Sequence, residues 1–270
     1  MTLVVVVAHP DDETFGCGSL LLHAATRTRT VVVCATRGEA GEYRSGLKLP
    51  SGGLAELREA ELRAAAATLG VAEVEVLGFG DSGMTGPSPA GSLCATPLTT
   101  LAERIRTSLA RHQPSIVVTL DGSDGHRDHV FIRDAVLAAV EPDLTLYLHC
   151  LPRVLMHEWL RRRARDDTGT AYAGDPEIGT PEDEITTVVD TARHYTTRLT
   201  AISRHRSQAS PYDVLPEDLR RRFLCVDHLR RVQPRWPGGT LETDLLGLGG
   251  PVENSRASQP PPALRAWRTR

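Results

Sequence analysis

The residues best equipped for chemistry stand in two short clusters. The first, His9-Pro10-Asp11-Asp12-Glu13, puts one imidazole and three carboxylates within five consecutive positions. Such a set can supply metal ligands and still leave a separate base. Pro10 has a fixed φ and no backbone N–H, so a rigid turn is expected there. The second cluster runs Asp121-Gly122-Ser123-Asp124-Gly125-His126-Arg127-Asp128-His129 and ends with two imidazoles around a carboxylate. Each cluster alone also reads as ordinary structure: an acidic turn capping the helix that follows, or exposed histidines. Two of them in one chain point to a metal centre. Imidazole and carboxylate suit Zn²⁺, and a catalytic zinc keeps three protein ligands and one open position; Fe²⁺ suits the same donors. Two histidines and one aspartate complete that count without a cysteine. Zinc brings the pKa of its water toward about 7. A neighbouring carboxylate then serves as base, and a further imidazole holds the oxyanion or protonates the leaving amine. That set can hydrolyse an amide.

Clusters of this kind need elements that bring them together. Five short runs rich in Val, Ile and Leu read as buried strands: 3–8, 31–35, 74–79, 116–120 and 144–148. Continuous apolar character, rather than alternation, fits a parallel sheet covered on both faces. Leu98, Leu101, Ile105 and Leu109 form a helical stripe, and Gly70 closes an Ala-rich helix running from about Leu54 to Leu69. Alternating strand and helix signals predict an α/β fold, a Rossmann-like, doubly wound, mostly parallel sheet with helices on both faces. Both clusters directly follow a predicted strand, where open α/β sheets bind ligands. A loop or lid is expected over 166–183 and a further helix from about Glu184 to Arg206. After Gln233 the composition turns to Pro, Gly, Ser and Arg. Residues 1–232 are therefore expected to form one catalytic domain and 233–270 a mobile tail. On that reading, a chain ending near Arg235 folds and turns over normally.

Composition narrows the classes. Thirty-one basic and 34 acidic residues give a net charge of −3, which argues against nucleic acid as a partner. The runs Arg161 to Arg163 and Arg220 to Arg222 read as solvated helix faces. Five cysteines, odd in number and without a CxxC pair, do not form a disulfide framework, which suits a reducing compartment. The first apolar run is strand-length, so neither a signal peptide nor a membrane span is expected. A cytoplasmic protein with a small-molecule substrate is the expectation; a homo-oligomer is compatible with it.

HPDDE after the first strand, paired with GHRDH after a later one, resembles the LmbE-like (PIG-L-type) de-N-acetylase family. Further segments match in order: Thr36 to Gly41 resembles the T-x-G-E-x-G stretch, Arg58 to Glu61 the R-x-x-E helix, Gly78 to Met84 the loop after strand three, and His205 to Gln208 the H-x-S-Q motif. The match spans residues 1 to about 210. The resemblance implies zinc ligands at His9, Asp12 and His129, a general base at Asp11, and an imidazole at His126 that stabilises the intermediate or acts as acid. It implies that Asp128 orients a histidine and that Arg58 and Asp81 approach the substrate, although a helix-face ion pair and a turn aspartate are the plainer readings of those two. Glu13 reads as stabilising the turn, and His205 and Gln208 as rim or structural residues. The activity implied is removal of an N-acetyl group from an amino sugar such as an N-acetylglucosamine glycoside, in secondary metabolism or cofactor synthesis.

One departure stands out. Members of the mycothiol-pathway type carry tyrosine two positions before the second motif's first histidine, and this chain has Asp124. A mycothiol precursor is disfavoured on that ground, as is a membrane glycolipid for want of an anchor. Two other readings remain: an amidase of the same family that cleaves a larger N-acyl group or thiol conjugate, and a sugar- or nucleotide-binding module. The second is weak, because Gly16-Cys17-Gly18 lacks the third glycine of a dinucleotide turn. Asp11 and Asp12 are adjacent, and metal analysis separates their roles. Asp12→Asn is expected to lose bound metal and Asp11→Asn to keep it; loss in the Asp11 variant alone would exchange the assignments.

Overall fold

The computed structural model describes residues 1–165 and 177–248. In chain order the elements are β1 (Thr2–Val7), α1 (Asp12–Phe15), α2 (Gly18–Ala25), β2 (Arg29–Thr36), α3 (Gly53–Thr68), β3 (Glu73–Phe79), α4 (Leu98–His112), β4 (Ile116–Leu120), α5 (Arg127–Ala139), β5 (Thr145–Cys150), α6 (Arg153–Arg165), β6 (Thr187–Asp190), α7 (Tyr195–Ile202), α8 (Glu217–Leu224) and β7 (Val226–Gln233). They build one seven-stranded sheet in the order β3-β2-β1-β4-β5-β7-β6. The first five strands are parallel; β7 runs antiparallel to both β5 and β6.

The continuous apolar run of β1 has a simple cause. Leu3, Val5 and Val7 enter one core layer, with Leu20 and Leu21 of α2 and Leu62 of α3. Val4, Val6 and Ala8 enter the other, with Leu101 and Ile105 of α4 and Ile132 of α5. With both faces covered, each Leu and Val of the strand contributes roughly 1.5–3 kcal/mol of burial, and only Thr2, at its start, is polar. Gly70, at φ 75°, provides the left-handed turn after α3 that a side chain would strain. The chain winds outward from β1 through β2 to β3, then returns to place β4 on the other side of β1. The carboxyl ends of β1 and β4 are therefore the point where the strand order reverses, and a crevice opens there.

The structure departs from expectation in the last third. The stretch 184–206 is not one helix: a 3-10 turn over Glu182–Glu184 leads into β6, and beyond it a second 3-10 turn, Ala192–His194, precedes the α-helix Tyr195–Ile202. β6 is four residues long, and β7 (VDHLRRVQ) carries buried charge, so neither has the apolar signature of the central strands. Ile178 is buried in a third core cluster with Trp159 and Leu219; most of the rest of the expected lid, 166–176, lies outside the described residues. Packing also continues past the boundary expected at 233. Leu245 and Leu248 are buried in the first core layer, and Glu242 accepts from Thr187 and pairs with Arg231. Residues 249–270 of the expected tail lie outside the described residues. A chain ending near Arg235 would strip these contacts. Among the described residues no helix is long and apolar enough to cross a membrane.

Asp244 fastens this segment to α2 and the turn after it, through His23 Nε2 at 2.9 Å and through Arg27. Burial works against its charge, but the bonds from His23 and Arg27 outweigh it and hold the carboxyl down at about 2. A depressed pKa stabilises the fold above the ordinary carboxylate range, and that contribution is lost as pH falls through about 2. Asp244→Asn is therefore expected to lower the melting temperature at neutral pH, with the gap to the parent closing as the medium is acidified from about pH 4 downward. A gap that stays constant over that range would show that charge is not what fastens the segment.

Candidate metal centre and active site

The loops after β1 and β4 face each other across the crevice. His9, Asp11 and Asp12 come from the first, His126 and His129 from the second, and all five line one cavity of about 630 Å³ with Arg58 and Asp81. His9 Nδ1 lies 3.3 Å from His129 Nε2, and Asp12 lies 3.2 Å from His129 Nε2 and 3.6 Å from His9 Nδ1. A tetrahedral ion with ligands at 2.0–2.1 Å separates neighbouring donor atoms by roughly 3.3 Å. The two imidazole nitrogens therefore stand at the spacing a zinc ion needs, with Asp12 Oδ1 near His129 and Asp12 Oδ2 near His9.

Electrostatics point the same way. Burial would keep His9 and His129 neutral, yet neighbouring carboxylates outweigh it: His129 is pushed up to about 10 by Asp12 and Asp124, and His9 well above its ordinary value by Asp12, Asp128 and Asp81. Five aspartates surround these rings, so the cluster calls for positive charge at its centre. Protons meet that demand where no metal is bound.

Two further sets of donors are close enough to share an ion: His9, His126 and His129, and His9, Asp81 and Asp128. The second lies on the Nε2 side of His9 and is already closed. There Asp128, fully buried, accepts from His9 Nε2 at 3.0 Å, from Ser82 N at 3.0 Å and from Cys94 Sγ at 3.0 Å. Asp128 is thus a positioning residue behind His9 rather than a cavity residue. Asp124 does the same for His129, with Oδ2 2.6 Å from its Nδ1. Each of the two candidate ligand imidazoles thus carries a carboxylate on its far nitrogen, which fixes ring and tautomer. From sequence, Asp124 was visible only as a missing tyrosine.

His126 is the N-cap of α5. Its Nδ1 accepts from Asp128 N at 3.1 Å, so its ring proton belongs on Nε2. Burial, with the charges of His129 and His9, lowers its pKa to about 4. At neutral pH it is a neutral imidazole with one N–H to donate.

Asp11 sits at φ 129°, a conformation that costs a non-glycine residue about 1–3 kcal/mol. Three bonds hold it there. Its N–H donates to Glu13 Oε2 at 2.9 Å, its carboxylate accepts from Arg58 Nη2 at 2.9 Å, and the same guanidinium reaches Pro10 O. Burial raises the Asp11 pKa to about 6 against the pull of Arg58. Arg58 also donates to Gly38 O at 2.8 Å, and a Cβ at Gly38 or Gly41 would lie within 2.5 Å of it. The glycines after β2 are there to admit this guanidinium. Arg58 lines the cavity but is spent largely on the chain itself, with Nε buried and unpartnered. Asp81 faces the cavity 3.6 Å from His9 Nε2, and its Oδ1 accepts from Gly83 N at 2.8 Å, so the turn-forming role is realised whatever else it does.

The late motif closes over this turn. His205 Nε2 meets Glu13 Oε1 at 2.6 Å, and Glu61 accepts from Ser207 N and Oγ at 2.9 and 2.6 Å. His205 therefore braces Glu13, while Gln208 reaches the cavity. Arg198, fully buried, donates to the carbonyls of Thr14, Phe15 and Gly16 and so ties α7 to the first cluster. Nothing in its sequence neighbourhood marks it.

Fold and site together define an α/β protein with a candidate metal centre at the switch point of its mostly parallel sheet. The chain belongs to the PIG-L family, whose GlcNAc-PI de-N-acetylase profile matches residues 4–140. It is 33% identical over 250 residues to a 1D-myo-inositol 2-acetamido-2-deoxy-alpha-D-glucopyranoside deacetylase of Kineococcus radiotolerans, across 77% of this chain and 69% of that one. Two solved structures share the fold: a deacetylase–teicoplanin complex from teicoplanin biosynthesis (TM-score 0.59, 20% identity, 86% of this chain and 100% of that one), and the 4-carboxy-2-hydroxymuconate hydratase of Pseudomonas putida (TM-score 0.59, 19% identity, 88% and 99%). The hydratase makes plain that the fold by itself does not select the reaction.

If Asp124 holds His129 for the metal, Asp124→Asn lowers metal affinity by about 10–100-fold with all three ligands intact. Competition against a chromogenic chelator measures this. Unchanged affinity would reduce Asp124 to an N-terminal brace of α5.

Proposed function

We propose that this protein is a zinc-dependent N-deacetylase that hydrolyses the acetamide of an amino sugar or a small aminoglycoside-type metabolite. The observation that carries the reading is the triad of His9 Nδ1, Asp12 and His129 Nε2 at 3.2–3.6 Å, with Asp11 on the same turn. When bound, zinc supplies a water of lowered pKa and polarises the amide carbonyl. Iron(II) suits the same donors.

The chain's own residues supply the rest. Asp11, held toward the cavity by Arg58 and Glu13, takes a proton from the attacking water. Burial keeps its pKa near neutrality, where a base is most effective. His126 donates from Nε2 to the oxygen of the former carbonyl and does so as a neutral ring. The proton on Asp11 then passes to the leaving nitrogen. Water is divided between the acyl carbon and the amine, releasing acetate and a free amino sugar. Asp128 and Asp124 keep the two imidazole ligands oriented throughout.

The Kineococcus relative is named for an N-acetylglucosaminide of inositol, which favours a glycoside over a peptide. Asp81, Glu42 and Thr85 give the cavity hydrogen-bonding groups suited to sugar hydroxyls. A site built for hydroxyls rejects analogues that lack them. The zinc-loaded protein is expected to release acetate and a primary amine from an N-acetylglucosaminide far faster than from a simple N-alkylacetamide. Asp11→Asn is expected to lose about 10²–10⁴ in kcat. Equal kcat/KM for sugar and simple amides, or turnover of peptides alone, would falsify the assignment.

A further inference from the structure

Polar groups line the cavity on both flanks of the metal-ligand triad, but they are differently occupied. Arg58 and Asp81 belong to the β2–β3 flank. On the other flank, beyond β4 and β5, the polar tips largely serve the chain itself. Asp121 accepts from Ser123 N and Oγ and from Thr180, Trp159 Nε1 donates to Pro211 O at 3.0 Å, and Tyr212 Oη donates to Phe15 O at 2.6 Å. His149, near the end of β5, is different. It is 6% exposed, lines the cavity, and takes no part in the steps above.

The His149 ring is held from behind. Its Nε2 lies 3.2 Å from Asp227 Oδ1 on β7, and Asp227 Oδ2 accepts from Thr191 Oγ1 at 2.8 Å. Burial opposes the charge on Asp227, but the bond from His149, the Arg198 guanidinium and the Thr191 hydroxyl outweigh it and hold the carboxyl below its ordinary value. A carboxylate can only accept, so the ring proton belongs on Nε2 and Nδ1 presents a lone pair. Nδ1 has no hydrogen-bond partner among the described residues, and it lies beside Gly16, where a Cβ would stand 3.9 Å away. Gly16 also lines the cavity. The backbone is pinned as well, since His149 O accepts from Asp121 N at 3.1 Å. An oriented acceptor in a closing cavity loses its water when a ligand enters, so a ligand that fits must bring a donor.

Resting on the deacetylase reading above, we propose that His149 is a substrate-binding residue whose Nδ1 accepts a hydrogen bond from one hydroxyl of the amino-sugar substrate, across the triad from Arg58 and Asp81. Asp227 and Thr191 are its positioning residues, fixing the tautomer that accepts. The substrate is then an amino sugar held by hydroxyls on both sides of its acetamide.

The test changes substrate and protein together, on the zinc-loaded protein. The substrates are methyl N-acetylglucosaminide, its three monodeoxy counterparts, and the N-acetylglucosaminides of inositol and cyclohexanol. Each is compared by kcat/KM in the parent, His149→Gln and His149→Asn. A glutamine amide reaches the place of Nε2, so it keeps a partner for Asp227 and removes the acceptor at Nδ1; an asparagine amide does the reverse. Loss of one hydroxyl is expected to cost the parent about 10- to 100-fold, because a buried acceptor is left unpaired, and His149→Gln less than about threefold. His149→Asn should keep most of the parent's cost, and the other hydroxyls should keep theirs throughout. A His149 that merely neutralises Asp227 predicts the opposite order, with His149→Gln behaving as the parent. Metal content and melting temperature report folding.

Turnover with a hydroxyl cost that survives in His149→Gln, or that vanishes in both variants, overturns the assignment and leaves the deacetylase reading standing. So does a loss uniform across the substrates, or a parent series with no hydroxyl cost. No turnover of any member with zinc bound overturns the hydrolase reading, and the role of His149 with it.

Discussion

Charge compensation at the ends of β1 and β4 governs this structure. Five aspartates and three histidines converge in a space largely closed to water, where an uncompensated charge costs several kcal/mol. The histidines cannot neutralise the carboxylates without being protonated, and burial opposes that. His9 and His129 are nevertheless driven toward the charged form. A divalent cation held between His9 Nδ1, His129 Nε2 and Asp12, as proposed above, would supply that positive charge on the cavity side, with Asp128 and Asp124 on the far nitrogens.

The surrounding chain can be understood as what this arrangement requires. Asp11 has to leave the ordinary backbone regions to present its carboxylate beside Asp12. Bonds to charged groups, worth about 1.5–3 kcal/mol each, outweigh the strain. Arg58 on α3 and Glu13 in α1 provide them, and both are themselves braced: Arg58 by the gap at Gly38 and Gly41, Glu13 by His205. Glu61, one turn after Arg58, fixes Ser207 and so the segment carrying Gln208 to Tyr212 across the cavity. α3 therefore supports both the base and the cavity's far wall. Arg198 adds a third tie, gathering the carbonyls at the end of α1.

The contrast between the two flanks has its own origin in topology. The loops after β2 (37–52) and β3 (80–97) are long, largely polar and rich in glycine. Beyond β5 the chain instead builds a separate apolar cluster from α6, α7 and α8, with Trp159, Tyr212 and Phe223 facing inward. The sheet positions the candidate metal centre, and the apolar cluster beyond β5 shapes what can lie beside it.

The sequence by itself determined the central sheet and which residues gather at the candidate metal centre. Strands covered on both faces are nearly continuously apolar, so β1, β2, β4 and β5 announce themselves within one or two residues; β3, a partly buried edge strand, shows through its valines and Leu77. His9, Asp11, Asp12, His126 and His129 lie close in sequence to strand ends, where local spacing already brings donors together. The tertiary structure decided what depends on distant partners. β6 and β7 were hidden because β6 is a four-residue edge strand, and β7, between β5 and β6, carries Asp227 and Arg231, whose charges are met by His149 and Glu242 outside the strand. The burial of Leu245 and Leu248 was masked by the Gly- and Pro-rich stretch around them, since two apolar side chains set no period. Arg58 read as a ligand-facing cation and proved to be mostly a brace, because a guanidinium's partners are chosen by whichever backbone carbonyls the fold brings near. Asp124 read as an absence and proved to be a hydrogen-bond partner of a proposed metal ligand. Local pattern reports what each residue can do, but its partner is a property of the folded chain.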